Sequence, residues 1–215
     1  MTELKYTESL AELTALFSNK KYAAIPQINR SFVAPKKVEK NAILFISINP
    51  SDDDTLEAGF YDLPQVQEKG FFKKFSEIGA YCNTTWTHWD LLAIRETKQK
   101  EVEKIEKQPN GLELICKNLE ISKAVIENLQ PKLIIVVNTL ARKYLGKDQQ
   151  NGINVWLGYN FGEIQADGSY YIQNEESKLK GIPILFNGML SGQRALDNGS
   201  FERLKWHSKQ LLKDN

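Results

Sequence analysis

The chain has 215 residues, 41% of them apolar and 26% charged, with a formal net charge of +1. That length is enough for one well-buried α/β domain or two very small ones, and the balance is that of an ordinary soluble globular protein. So small a net charge gives no global field to steer a polyanion, so a nucleic-acid partner would need a local basic patch.

The opening MTELKYTESLAEL shows no basic segment followed by an apolar core. No signal peptide is expected, and a cytoplasmic location follows from that reading. No apolar run reaches the length of a membrane span. Ser9 and Glu12 have capping-box spacing, and Leu10, Leu13 and Phe17 recur at helical period, which predicts a helix over 8–18. AILFISI, residues 42–48, is the first buried strand. It stops at Asn49-Pro50, then meets Asp52, Asp53 and Asp54 and the aromatic pair Phe60-Tyr61. QEKGFFKKFSEIG reads as a helix with Phe71, Phe75 and Ile78 on one face and Gly79 near its end. TWTHWDLLAI is a second strand by its β-forming residues.

Leu112, Ile115, Leu119, Ile126 and Leu129 form one stripe of a long amphipathic helix that Pro131 closes. KLIIVV is a third strand, and TLARKYLG a short helix stopped by Gly146. NVWLGY and SYYIQ flank Asp167-Gly168, a hairpin turn signal. IPILF is another buried strand, and Phe201, Leu204, Ser208 and Leu211 mark a last helix. Strands that are nearly all apolar need helices on both faces. The expected fold is therefore α/β, a single three-layer αβα domain with a mainly parallel central sheet. Residues 1–41 supply an N-terminal helix and lead-in, and 42–212 the core.

Cys82 and Cys116 form no C-x-x-C pair, so a reducing compartment and no disulfide framework are expected. His88 and His207 stand alone in the sequence, which excludes a zinc site of Cys and His; no metal or cofactor is expected. The C-terminal stretch from Lys178 is rich in lysine and arginine and reads as a solvated helix face.

Three strands end in asparagine, at Asn49, Asn138 and Asn187. In an open α/β sheet the ligand crevice lies beyond the carboxyl ends of the strands, so three amides could converge there. An amide offers both donor and acceptor and can read a heteroatom-rich ligand or hold a water. The competing role is structural, because Asn also caps helices and shapes turns. Capping is the stronger reading for Asn138, which precedes Thr139 and a helix. Pro50 fixes the backbone after Asn49. Phe60 and Tyr61 either wall a flat ligand or pack under the loop, while Phe71, Phe72 and Phe75 read as core. After Asn187, Met189 and Leu190 lie between Gly188 and Gly192, with Ser191, Gln193 and Arg194 beside them. Such a loop could press an apolar tip into a base stack and grip phosphates, or plug the core. Arg95 and Glu96 read as an exposed ion-bearing loop.

Taken in order, these motifs resemble the uracil-DNA glycosylase superfamily, closest to its mismatch-specific branch. The family's first motif, Gly-Ile-Asn-Pro-Gly, is matched by Ser47-Ile48-Asn49-Pro50-Ser51. EAGFYDLP and GFFKKFSEIG match its phenylalanine-bearing loop and following helix, and ISKAVIENLQPKLIIVVNTLARKYL its helix and central strand. Its last motif, Asn-Pro-Ser-Gly-Leu-Ser, is matched by Asn187-Gly188-Met189-Leu190-Ser191, with Arg194 soon after. The order agrees over roughly residues 42–212. The resemblance implies metal-free hydrolysis of the N-glycosidic bond of a damaged or mismatched DNA base, flipped into the pocket. Asn49 would position the water and Asn187 would lie beside the leaving base. Ile48, Phe60, Tyr61 and Asn138 would hold the base; Met189, Leu190, Ser191, Gln193 and Arg194 would hold DNA, with Leu190 filling the gap. A monomer is expected. Serines stand at both glycines of the first motif, Gly188 stands at the proline of the last, and no histidine matches that of the more active branches. Two alternatives are a catalytically inactive nucleic-acid or protein interaction module on the same fold, and a metal-dependent hydrolase using Asp52, Asp53 and Asp54.

Overall fold

A computed structural model describes residues 3–53, 56–146, 156–192 and 195–213. Five strands form the central sheet: β2 (Ile43–Ser47), β4 (Trp86–Asp90), β5 (Leu133–Val136), β6 (Tyr170–Tyr171) and β7 (Pro183–Phe186), in the order β4-β2-β5-β7-β6. The first four in that order are parallel, and β6 runs antiparallel along the β7 edge. A separate parallel pair joins β1 (Val33–Pro35) to β3 (Gly59–Tyr61).

Alternation along the strands sorts the core into two clusters. Leu44, Ile46, Ile134, Val136 and Ile184 face one side, against α1 (Glu3–Phe17), α4 (Gln99–Ile105), α5 (Gly111–Leu129) and α6 (Thr139–Leu145). Ile43, Phe45, Leu133, Ile135 and Leu185 face the other, against α2 (Leu63–Val66), α3 (Gly70–Cys82) and α7 (Asn198–Leu211). Every residue of β2 and β5 is buried, which is why those strands read as unbroken apolar runs. The expected α/β class with a mainly parallel sheet between two helical layers is what the chain adopts.

From β2 the chain crosses outward to β4 by way of α3, then returns past β2 to β5 by way of α5 on the opposite face. Opposite directions on opposite faces keep one crossover hand. The order therefore reverses between β2 and β5, and a crevice opens beyond their carboxyl ends.

Two expectations need correction. Asp167-Gly168 does form a tight turn, with the Gln165 N–H donating to Ser169 O at 2.8 Å and Gly168 at φ +84°. Its arms do not form the expected hairpin ladder, because Tyr170–Tyr171 pairs with the open edge of β7 instead. Of the other arm, residues 154–155 lie outside the described residues. Likewise the lead-in is built into the core rather than preceding it: β1 pairs with β3, Phe32 bridges Ile94, and the Tyr6 hydroxyl donates to Pro35 O at 2.6 Å. No helix among the described residues is long and apolar enough to cross a membrane.

Candidate functional site

A cavity of about 320 Å³ lies at the reversal point. Ser47, Ile48 and Asn49 line it from the end of β2, and Val137 and Asn138 from the end of β5. His88 and Asp90 enter from β4, Phe71 and Phe72 from α3, and Met189 and Ser191 from the loop after β7. Five chain segments thus meet around one space. The mixture of aromatic walls and convergent polar groups is that of a small-molecule pocket.

Asn49 is anchored at one end. Its Nδ2 lies 2.7 Å from Glu96 O, 2.9 Å from Pro50 O and 3.1 Å from Ile94 O. These carbonyls fix the amide's orientation and leave Oδ1 as its acceptor for a ligand or water. Asn138 caps α6, its Oδ1 accepting from the Leu140 N–H at 2.8 Å. Capping leaves its amide N–H groups for the cavity, so the two roles proposed for Asn138 are compatible. Asn187 stands at the same end of the sheet, where its N–H donates to Val136 O at 2.8 Å, but it is not part of the cavity wall.

The remaining sequence-stated positions divide. Ile48, Met189 and Ser191 line the cavity. Phe60 does not; it is 42% exposed and packs edge-on against Phe32. Tyr61 is buried beneath the loop, its ring against Phe72 and its hydroxyl on His88. The aromatic wall is instead Phe71 and Phe72, two residues read from sequence as core. Leu190 is 3% exposed and belongs to the cluster under α3 and α7, so it packs the interior rather than displaying an apolar tip. Gln193, Arg194 and Asp54 lie outside the described residues.

Asp52 serves the loop. Its carboxylate faces Arg30 at 3.3 Å and Arg95 at 3.4 Å. Arg95 also donates to Asp53 O at 3.1 Å, and its side chain is largely covered, as is that of Glu96. The expected exposed Arg95-Glu96 loop is therefore a buried brace that clamps the Asn49 turn to the segment after β4. Glu96 accepts from Arg30 at 2.9 Å, Gln27 at 3.3 Å and the Lys98 N–H at 3.0 Å. Burial opposes its charge, but these three donors outweigh burial and hold its carboxyl below the ordinary range. Among the described residues no three His, Cys, Asp or Glu side chains gather where they could hold a metal ion.

The group that sequence reading missed is a buried polar chain. Tyr61 Oη lies 3.0 Å from His88 Nδ1, and His88 Nε2 lies 2.7 Å from Ser47 Oγ, which donates to Asp90 Oδ1. Parallel pairing sets Phe45 opposite His88 and Ser47 opposite Asp90, so the three polar side chains share one face. His88 is not isolated, as its place in the sequence implied. Burial holds its imidazole neutral, with its pKa pushed down to about 3. Burial also raises the Asp90 carboxyl to about 7, against the lowering effect of the Ser47 hydrogen bond. Ser47 is the hydrogen-bonding link between His88 and Asp90.

No known family model matches the chain, and neither does any curated protein. The arrangement itself has chemical content. It offers a flat ligand an aromatic wall, two fixed amides and a buried carboxyl with a pKa close to neutrality.

Proposed function

We propose that the cavity hydrolyses the N-glycosidic bond of a nucleobase without a metal, and that its substrate is a damaged or mismatched base of DNA, as the motif order implies. The observation that carries this reading is the meeting of Asn49, Asn138 and the Met189–Ser191 loop around one cavity at the strand-order reversal. Asn49 Oδ1 holds the attacking water, and Phe71 stacks on the base. Asn138 donates to its polar edge, and Ser191 closes the rim. The basic groups that would hold a DNA backbone include Arg194.

The test is incubation of the full chain with duplexes carrying uracil, thymine opposite guanine, or hypoxanthine, with and without chelator. Abasic sites that form equally in both conditions are expected. Release that stops with chelator would overturn the metal-free reading. Release from free nucleosides but from no duplex would move the substrate away from DNA. No release from any substrate would leave the fold as a binding module.

A further inference from the structure

The attack of water on a glycosidic carbon requires a proton acceptor, and an amide cannot serve. Asn49 Oδ1 can accept a hydrogen bond from water but is far too weakly basic to take the proton. Among the described residues, the titratable side chains on the cavity wall are Asp53, His88, Asp90 and Glu96. Both ring nitrogens of His88 are engaged by Ser47 and Tyr61. Both carboxylate oxygens of Glu96 are held, by Lys98 on one side and by Arg30 and Gln27 on the other. Asp53 stands on the exposed rim. Asp90 alone combines burial in the wall with an oxygen, Oδ2, beyond the one that Ser47 binds.

The hydrogen-bond chain has one consistent direction. An ionised Asp90 only accepts, so the single Ser47 proton goes to its Oδ1. Ser47 Oγ must then accept from His88 Nε2–H, and the neutral imidazole accepts at Nδ1 from the Tyr61 hydroxyl. Each donor is used once and no proton is left over. We propose that Asp90 is the base of this site, taking the proton of the water that Asn49 holds, with Ser47, His88 and Tyr61 as positioning residues that fix its carboxyl. This inference rests on the N-glycosidase reading above. The water oxygen bonds to C1′ as the C1′–N bond breaks, and the bonding electron pair leaves on the base nitrogen. The water proton moves to Asp90 Oδ2, and Asp90 then returns it to the departed base, restoring the carboxylate.

The titratable groups around Asp90 are His88 on its own strand, Tyr61 from β3, and Glu96 and Asp53 on the cavity wall. Across about pH 5 to 9 burial keeps His88 neutral and Tyr61 protonated, while its donors keep Glu96 ionised, so one acid limb is expected. Single-turnover base release from the same duplexes, measured from about pH 5 to 9, tests the assignment. Wild-type release should rise through one limb near pH 7, where the buried carboxyl ionises. Asp90→Asn should be slower by about 10²–10⁴-fold, with the limb gone. Ser47→Ala removes a bond that favours the ionised carboxyl, so its limb should move to higher pH, a change that loss of packing alone would not cause. Thermal melts report whether each variant folds; if Asp90→Asn does not, the Ser47→Ala limb decides. Asp90→Asn keeping release within about three-fold of wild type, limb intact, would overturn the inference and leave the glycosidase reading standing. A Ser47→Ala limb that stays in place would do the same. A wild type that releases no base would overturn both.

Discussion

Asn49 and Phe71 show how differently single residues carry the site. Asn49 was legible because a buried strand ending in Asn-Pro is an unusual local pattern. Phe71 was not, because a phenylalanine on an amphipathic helix looks the same whether it faces core or cavity. Phe71→Ala should therefore weaken substrate binding and slow release by about ten-fold, whereas Phe60→Ala should leave both within about two-fold, since base–aromatic stacking is worth about 1–3 kcal/mol. Titrating both variants with a uracil-containing duplex checks this; equal losses would return the stacking role to the loop after β3. Leu190 packs in the core, so Leu190→Ala should lower folding stability by about 2–5 kcal/mol. Urea unfolding measures it, and a loss well below 1 kcal/mol would be inconsistent with the packing seen here.

At the level of elements, the strands announced themselves because β2, β5 and β7 are apolar on both faces. Their partners did not. The alternation in TWTHWD sets His88 and Asp90 on one face of β4, but only its pairing with β2 brings Ser47 opposite Asp90. Short-range periodicity holds no information on which strand lies beside which, and so the polar chain was invisible. β1 was hidden for a related reason: three residues paired with a three-residue partner leave too short a pattern to read. The start of α5 carries a constraint of its own. A Cβ on Gly111 would lie 1.7 Å from the Ile105 carbonyl oxygen, so α4 and α5 can approach as they do only with glycine there. Gly111→Ala should destabilise the chain by about 1–3 kcal/mol through forced separation of the two helices. A thermal melt at or above the wild-type value would contradict that.

For the whole molecule, two buried groups set opposing pH dependences. Asp90 has a folded pKa of about 7, above its ordinary value, so its contribution is present at low pH and is lost as pH rises toward 7. His88 has a folded pKa of about 3, below its ordinary value, so its contribution is present above about pH 6.5 and is lost as pH falls toward 3. Between about pH 4 and 6.5 the two slopes cancel. Asp90→Asn should unmask the histidine, so that stability climbs by up to about 1.4 kcal/mol per pH unit across that window. Denaturant unfolding at several pH values would show it, and a flat profile in the variant would argue against a neutral buried His88. The proposed glycosidic cleavage is assigned to the cavity at the strand-order reversal. Single-turnover release of the base from a lesion-containing duplex by wild type and Asn49→Ala, side by side, tests that most directly. Release by wild type, slowed about 10²–10³-fold in Asn49→Ala with duplex affinity nearly unchanged, is the expected result. Equal rates for the two proteins would contradict it.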